Sequence, residues 1–476
     1  MSSAALPSYL ASARPNPLDK RGPWYMNTAP SYAGIFLWVA FYDSLGETLR
    51  LGSLGAALLG LVLAALISHF LFYYVFGLLG MRTGLPLYVV GSSTFGTRGG
   101  YLFPGIFMGL LQIGWYSVAT FFAAKLVLRV FVADKSPLLK TIFDAAEAER
   151  GFSIVFIIVA AVWGYIFALV GALGIRYVAR VSQFFPIVPL VMLIIAALGA
   201  APGLGRFASP ATQPSTWAAA GLMIQLVIGF FATAGAAGVD FGLNSRNERD
   251  VSLGGLSGIA LAALVAGGLA VVTVAGAHGL DPHLAGFSFT GSLGTASPAL
   301  AKVMFLLFAI GSMAPACFCS FIIGNSLSTM IPSVPRMTWT LGGATIGIVL
   351  AALGLAGNLA PFFGLIGASF GPICGAMVAD FLLSGRKWAG PRAGISIPGY
   401  AAWIIGFLVG ISNNDMVTRL LGGPGHEILS RAHPTAVYSF VVGFVVYAIL
   451  AGAGLQGRPV ALPAAQPAPA QPAVQG

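Results

Sequence analysis

Twelve apolar stretches, separated by short polar or glycine- and proline-bearing connections, recur along the chain at about 31–49, 54–80, 101–128, 153–173, 178–200, 217–239, 254–279, 298–330, 339–357, 360–384, 398–413 and 434–454. A helix needs roughly 20 apolar residues to cross the hydrocarbon core of a bilayer. The pattern therefore predicts an all-α polytopic membrane protein with twelve spans. The mostly polar residues 1–30 lack the short apolar core and small-residue cleavage site of a signal peptide, and they read as a cytoplasmic N-terminal arm. Residues 457–476, rich in Pro, Ala and Gln, read as a disordered tail that packs no core.

Composition narrows the class. Of 476 residues, 57% are hydrophobic and 8% charged, against about 25% charged in a soluble domain. An ordinary soluble enzyme is excluded, as is a disordered chain, and three cysteines in this length exclude a disulfide scaffold. The net charge of +10 arises from basic residues scattered singly, without a basic run, so nucleic acid is not an expected partner. The excess reads as loop charge facing anionic lipid headgroups. If both termini are cytoplasmic, fourteen of the 24 basic residues fall on that side and eight on the other. That bias is the expected one for a multi-pass protein of the cell inner (plasma) membrane. Lys125 and Lys302, near the far ends of the third and eighth spans, are placed to snorkel to the headgroups.

Two spans are not clean helices. The first carries Asp43 and Glu47 around Gly46. An acid there is either solvated at the outer mouth or faces a cavity or partner. In the sixth, Gly229 to Gly238 is dominated by glycine and alanine around Thr233. Such a run is either a close helix-packing face or an unwound break. These spans are the first helices of two successive sets of five, and paired interruption at corresponding positions points to an inverted-repeat transporter with its site near the membrane midplane. The expected organisation is a first five-helix repeat at 31–200, a second at 201–385, and two additional helices at 386–456.

Few polar residues lie within the spans. Gln112 and Trp115 are three apart and share a helix face. An amide beside a broad indole suits a flat heteroaromatic ligand, although packing alone would also account for the pair. In the eighth span Pro315 interrupts the ladder, and Ser312, Cys317 and Ser320 are near enough to satisfy freed backbone groups. Cys317, Cys319 and Cys374 read as buried unreactive thiols. His69 is a lone imidazole, structural or a proton relay. No metal-ligand spacing, phosphate-cradling loop, HExxH or GxGD pattern exists, so no enzyme, metal or organic cofactor is expected. The glycine-rich GSSTFGTRGG at 91–100 reads as a cytoplasmic linker.

Four segments carry a resemblance: MRTGL at 81–85, TFGTRGGYLFPGIFMGLLQIGWYS at 94–117, GFFATAGAAGVDFGLNSRN at 229–247 and FGPICGAMVADFLL at 370–383. In order and spacing the chain resembles the nucleobase:cation symporter family, which includes cytosine permeases and hydantoin, allantoin and uracil transporters. The resemblance implies a LeuT-type fold, with ten helices in two inverted five-helix repeats plus two more. It also implies a small-molecule substrate between Trp115 and a sixth-helix aromatic, Phe231 with Phe230 beside it, while Gln112 and Thr233 face the base.

There are departures. The family's sodium site uses carbonyls of the broken first helix and hydroxyls of the eighth, whose positions are held here by Ala316 and Cys317. No eighth-helix asparagine is evident at the base, with Ser312 and Asn325 the nearest candidates. The arginine expected after Asp240 is Leu243. The coupling cation is thus expected to be H+ or Na+, with proton coupling through Asp43 as the hypothesis. The expected function is cation-coupled import of a nucleobase or related N-heterocycle by alternating access. The competing readings are an amino-acid or amine transporter on the same fold, or a non-transporting membrane subunit. A channel would need a polar ring or repeated pore motif that the sequence lacks.

Overall fold

A computed structural model describes residues 6–132, 154–174, 187–414 and 432–462, together with Tyr177 and Thr418. The expected beginnings of the fourth and fifth spans and the tail from 463 onward lie outside the described residues. Those residues are helical, with only two isolated β-bridges, Gly22 with Ser245 and Arg392 with Pro459.

The first span is broken. Helix α1 (Thr28–Phe36) and α2 (Val39–Tyr42) are separated at Leu37 and Trp38, and Trp38 is extended at φ −80° and ψ 132°. There follow α3 (Leu54–Thr83), α4 (Tyr101–Phe131), α5 (Ile154–Leu173), α6 (Ile187–Arg206) and α7 (Thr216–Ala236). A turn at Ala237 leads to α8 (Gly238–Gly242). The chain continues through α9 (Glu248–Leu280), the short α10 (Phe289–Ala296), α11 (Ala301–Met330), α12 (Arg336–Ala352), α13 (Leu359–Leu383), α14 (Ile397–Gly410) and α15 (Thr435–Gly452). Nine of the described helices are long and apolar enough to cross a membrane; the other three expected spans are the broken first, the 17-residue α12 and the 14-residue α14.

Packing sorts the helices into groups. Helices α1, α3, α7 and α9 pack on one another, and α4, α5, α11 and α12 form a second set. Helix α13 joins α7 to α14 and α15. Small residues permit these approaches. A Cβ on Gly229 would collide with the Phe363 carbonyl of α13, and one on Gly235 would sit 2.9 Å from Phe72 of α3. The small-residue run of the sixth span is therefore a packing face over most of its length, and its interruption falls at Ala237. Helices α3 and α9 each contain a π-helical turn, Ser68–Tyr73 and Leu256–Leu261, and the two turns pack together. His69 sits in the first, fully buried, with neither ring nitrogen hydrogen-bonded among the described residues.

The N-terminal arm crosses one end of the molecule. Tyr9 donates to the Thr97 carbonyl at 2.7 Å, the Asn16 amide to the Leu243 carbonyl at 3.1 Å, and Arg21 to the carbonyls of Asn16 and Met81. The 91–100 connection is more than a linker at this end. Its Ser92–Phe95 turn is buried, and Ser93 and Thr94 both donate to Asp380 of α13.

Candidate functional site

Between the two helix groups lies a cavity of about 680 Å³, within the range of small-ligand sites. Asn27, Tyr88, Asn244 and Thr329 line it toward the arm side, where Pro30 is exposed. At its other end the lining is Gln112, Trp115, Phe230, Thr233 and Trp38, all less than 10% exposed. Beyond them an aromatic plug shuts the opposite side. Phe41 lies 4.9 Å from both Phe36 and Phe230, Tyr42 lies 5.0 Å from Phe289, and Phe289 lies 5.5 Å from Phe308. The cavity thus reaches the arm side and is closed on the other.

The helix faces explain which residues meet. Gln112 and Trp115 lie one turn apart on α4, and Phe230 and Thr233 one turn apart on α7. Trp115 Nε1 donates to Thr233 Oγ1 at 3.0 Å, tying the two faces together. The Trp115 ring meets Phe230 edge-on at 5.1 Å and 78°, and Trp38 at 5.8 Å. A flat ring held between two others needs their planes roughly 7 Å apart and parallel, twice a van der Waals contact. Trp115 and Phe230 are in direct contact in this conformation, so the expected sandwich between them is not open. The Gln112 amide contacts only Met108 Sδ, at 3.7 Å, among the described residues. Its hydrogen-bonding capacity is largely unspent at the cavity wall.

Four residues singled out from the sequence lie elsewhere. Phe231, next to Phe230, is turned about 100° around the helix; it is fully buried and stacks on Phe36 at 5.4 Å. Ser312 marks a bend within α11, where its hydroxyl donates to the Phe308 carbonyl at 3.2 Å. Cys317 is buried outside the cavity, and the thiol at the wall is Cys319. Asp43 is also outside the cavity, because the first helix breaks at Trp38, five residues earlier. Its carboxylate accepts the Thr290 amide at 2.8 Å and its carbonyl the Phe289 amide at 2.9 Å, so it secures the start of α10. Ala316, which offers a cation no side-chain oxygen, is fully buried.

Among the other wall residues, Trp38 and Asp240 were not legible as site residues, whereas Asn325 was already a candidate. Trp38 looks like one more aromatic in an apolar run, yet it occupies the break, and its buried Nε1 has no partner among the described residues. Asn325 of α11 lines the cavity, with its Oδ1 accepting from Arg336 at 3.1 Å. Asp240 of α8 is the one formally charged side chain among the residues lining the cavity, and its Oδ1 accepts the Leu87 amide at 3.0 Å.

The chain is similar to known proteins in sequence and in fold. The model for the family described as permease for cytosine/purines, uracil, thiamine, allantoin matches residues 17–443. The cytosine permease of Escherichia coli strain K12 is 23% identical over 356 residues, covering 70% of this chain and 71% of that protein. Mhp1, a nucleobase-cation-symport-1 family transporter, superposes with a TM-score of 0.66 in a closed conformation with bromovinylhydantoin bound, at 16% identity over 92% of this chain and 93% of Mhp1. Its inward-facing conformation gives 0.68 over 95% and 94%. A Na+-coupled sialic acid symporter in an outward-open state gives 0.51 at 13% identity, over 96% and 93%. These likenesses show the LeuT-type fold that the family resemblance implied. By the extent of the family match, the chain belongs to the permeases for cytosine and purines, uracil, thiamine and allantoin, which are membrane transporters and not enzymes.

Proposed function

We propose that this protein is a cation-coupled secondary transporter that imports a nucleobase or a closely related N-heterocycle by alternating access. The arm side is then the cytoplasmic side, both termini are cytoplasmic, and the cavity described here is that of an inward-open state in the cell's plasma membrane. The observation that carries the reading is the closed end of the cavity. Gln112, Trp115, Phe230 and Thr233 bring ring faces and neutral edge-reading groups together, and Trp38 adds a donor without a partner. Stacking on the indoles and hydrogen bonds to the ring edge suit a planar, uncharged heterocycle. A zwitterionic amino acid would bury two charges at the closed end, where Gln112, Trp115, Phe230, Thr233 and Trp38 carry none, which is costly. Relaxing the edge-on contact of Trp115 with Phe230 opens room for the substrate ring between them.

The test compares binding of cytosine, uracil, a purine, a hydantoin and several amino acids to purified wild-type protein and to Trp115→Ala and Gln112→Ala. The expected result is saturable binding of at least one heterocycle, weakened by both substitutions, and none of the amino acids. Amino-acid binding insensitive to both substitutions would replace this reading.

A further inference from the structure

The cavity places its lone charged side chain away from its aromatic end. Asp240 follows Thr233 by seven residues, roughly 10 Å along a helix axis, so a base stacked on Trp115 does not reach it. What Asp240 does touch is a different element. Its Oδ1 holds the amide of Leu87, the first residue of the short helix Leu87–Val90 in the connection between α3 and α4. Helix α8 follows α7 and packs on the end of α3, while the Leu87–Val90 turn packs against the start of α4 as well as the end of α3. One carboxylate thus ties the connection between α3 and α4 to α8 beside the cavity mouth. Its Oδ2 accepts no hydrogen bond from the described residues.

Resting on the transport reading above, we infer that Asp240 is a proton-sensitive latch of the cavity mouth: its carboxylate holds Leu87 in the state open to the arm side, and proton uptake on Oδ2 loosens that latch. In the open state the proton leaves Oδ2 for cavity water, and the carboxylate takes up the charge-assisted bond to the Leu87 N–H. When the arm side is acidified, cavity water delivers a proton to Oδ2. The neutral acid then accepts from Leu87 as an ordinary, weaker acceptor. No other reactant is needed.

The groups around Asp240 do not supply the charge themselves. The phenols of Tyr32 and Tyr88 face it. Among the cations of neighbouring elements, Arg82 is bonded to Glu248 and the Arg386 carbonyl, Arg246 to Asp250, and Arg21 to backbone carbonyls. Cys319 on α11 is the remaining titratable group of the wall. With no cation to compensate, burial pushes the Asp240 carboxyl, beyond the end of spanning helix α7, up to about 6.

The experiment needs no substrate. Ile322 lines the cavity on α11. Ile322→Cys, in a Cys319→Ser background, is labelled with a water-soluble methanethiosulfonate in sodium-free buffer from about pH 5 to about pH 8. Rates are divided by those of the same protein carrying Asp240→Asn, so that the thiol's own titration cancels. The expected ratio falls about threefold or more on acidification, the response to a half-unit difference in proton affinity between the two states. Asp240→Glu should restore the slope. A ratio flat across the range, or a slope that appears only with sodium, overturns the inference. If Asp240→Asn does not fold, Leu87→Pro serves as the reference. Proline is tolerated at a first helical position and removes the latch N–H together with the buried Leu87 side chain, so its rates should follow the titration of the labelled thiol alone. A Leu87→Pro profile identical to the wild-type one overturns the latch. A failure of every heterocycle to bind would defeat the proposed substrate and leave this result standing.

Discussion

Asp380 and Arg392 offer the sharpest quantitative prediction about the fold. Arg392 Nη1 lies 2.6 Å from Asp380 Oδ1, and both side chains are about 5% exposed. The carboxylate also accepts from Tyr447 at 2.9 Å, Ser93 at 2.7 Å and Thr94 at 3.2 Å, while Arg392 reaches the Ser93 carbonyl. One ion pair thus ties α13, α15, the Ser92–Phe95 turn and the segment before α14. Asp380→Ala strands a buried guanidinium, which costs about 3 to 5 kcal/mol, and leaves three hydroxyls short of an acceptor, which moves the total toward the upper end. Arg392→Ala strands the carboxylate, but the hydroxyls still serve it, so its cost should be nearer about 3 kcal/mol. The double substitution leaves no orphan charge. Its cost should therefore fall below the sum of the single costs by at least about 2 kcal/mol, within the range of coupled neighbours. The assay is denaturant unfolding of the four proteins in one detergent. Costs that add to within about 0.5 kcal/mol would refute the claim that this pair is a mutually dependent buried unit.

Four further outcomes follow from the geometry. Trp115→Ala should weaken heterocycle binding by about 1 to 3 kcal/mol, or roughly 5- to 150-fold in Kd, the usual worth of a base stacked on an aromatic ring; equilibrium binding checks it. Phe231→Ala, one residue from Phe230 but buried against Phe36, should cost about 3 to 5 kcal/mol of stability while leaving the ranking of substrates unchanged in a competition assay. Asp43→Ala should lower stability by about 1 to 3 kcal/mol, through the unpaired Thr290 amide, without changing the ion dependence of uptake; altered ion dependence would return Asp43 to the coupling pathway. Gly229→Val should prevent close approach of α7 to α13, visible as loss of a monodisperse peak in size-exclusion chromatography, and a well-folded variant would contradict that contact.

Much of the architecture was legible from the chain because a bilayer imposes a length and an apolarity on every span. Each of the twelve expected stretches corresponds to described helix, and the four segments that carry the family resemblance pointed to the fold. The position of the breaks was not legible. The first falls at Leu37 and Trp38, in an unbroken apolar run with neither glycine nor proline, while the conspicuous Gly46 lies beyond it. Helix periodicity was enough to pair Gln112 with Trp115, but it could not say whether Phe230 or its neighbour faced the cavity. That depends on the rotation of α7, set by where Gly229 and Gly235 let it approach other helices. Long-range polar pairs were equally hidden. Arg392 looks like an ordinary loop cation until α13, α15 and the Ser92–Phe95 turn enclose it.

The central claim is best tested by reconstituting the purified protein in proteoliposomes and measuring uptake of labelled cytosine, uracil and a purine under an inward proton gradient, an inward sodium gradient, or neither. The account predicts concentrative uptake of at least one heterocycle that requires a cation gradient and is lost in Trp115→Ala. Uptake that proceeds only to equilibration regardless of gradient, or no uptake of any heterocycle by protein that remains folded, would contradict it.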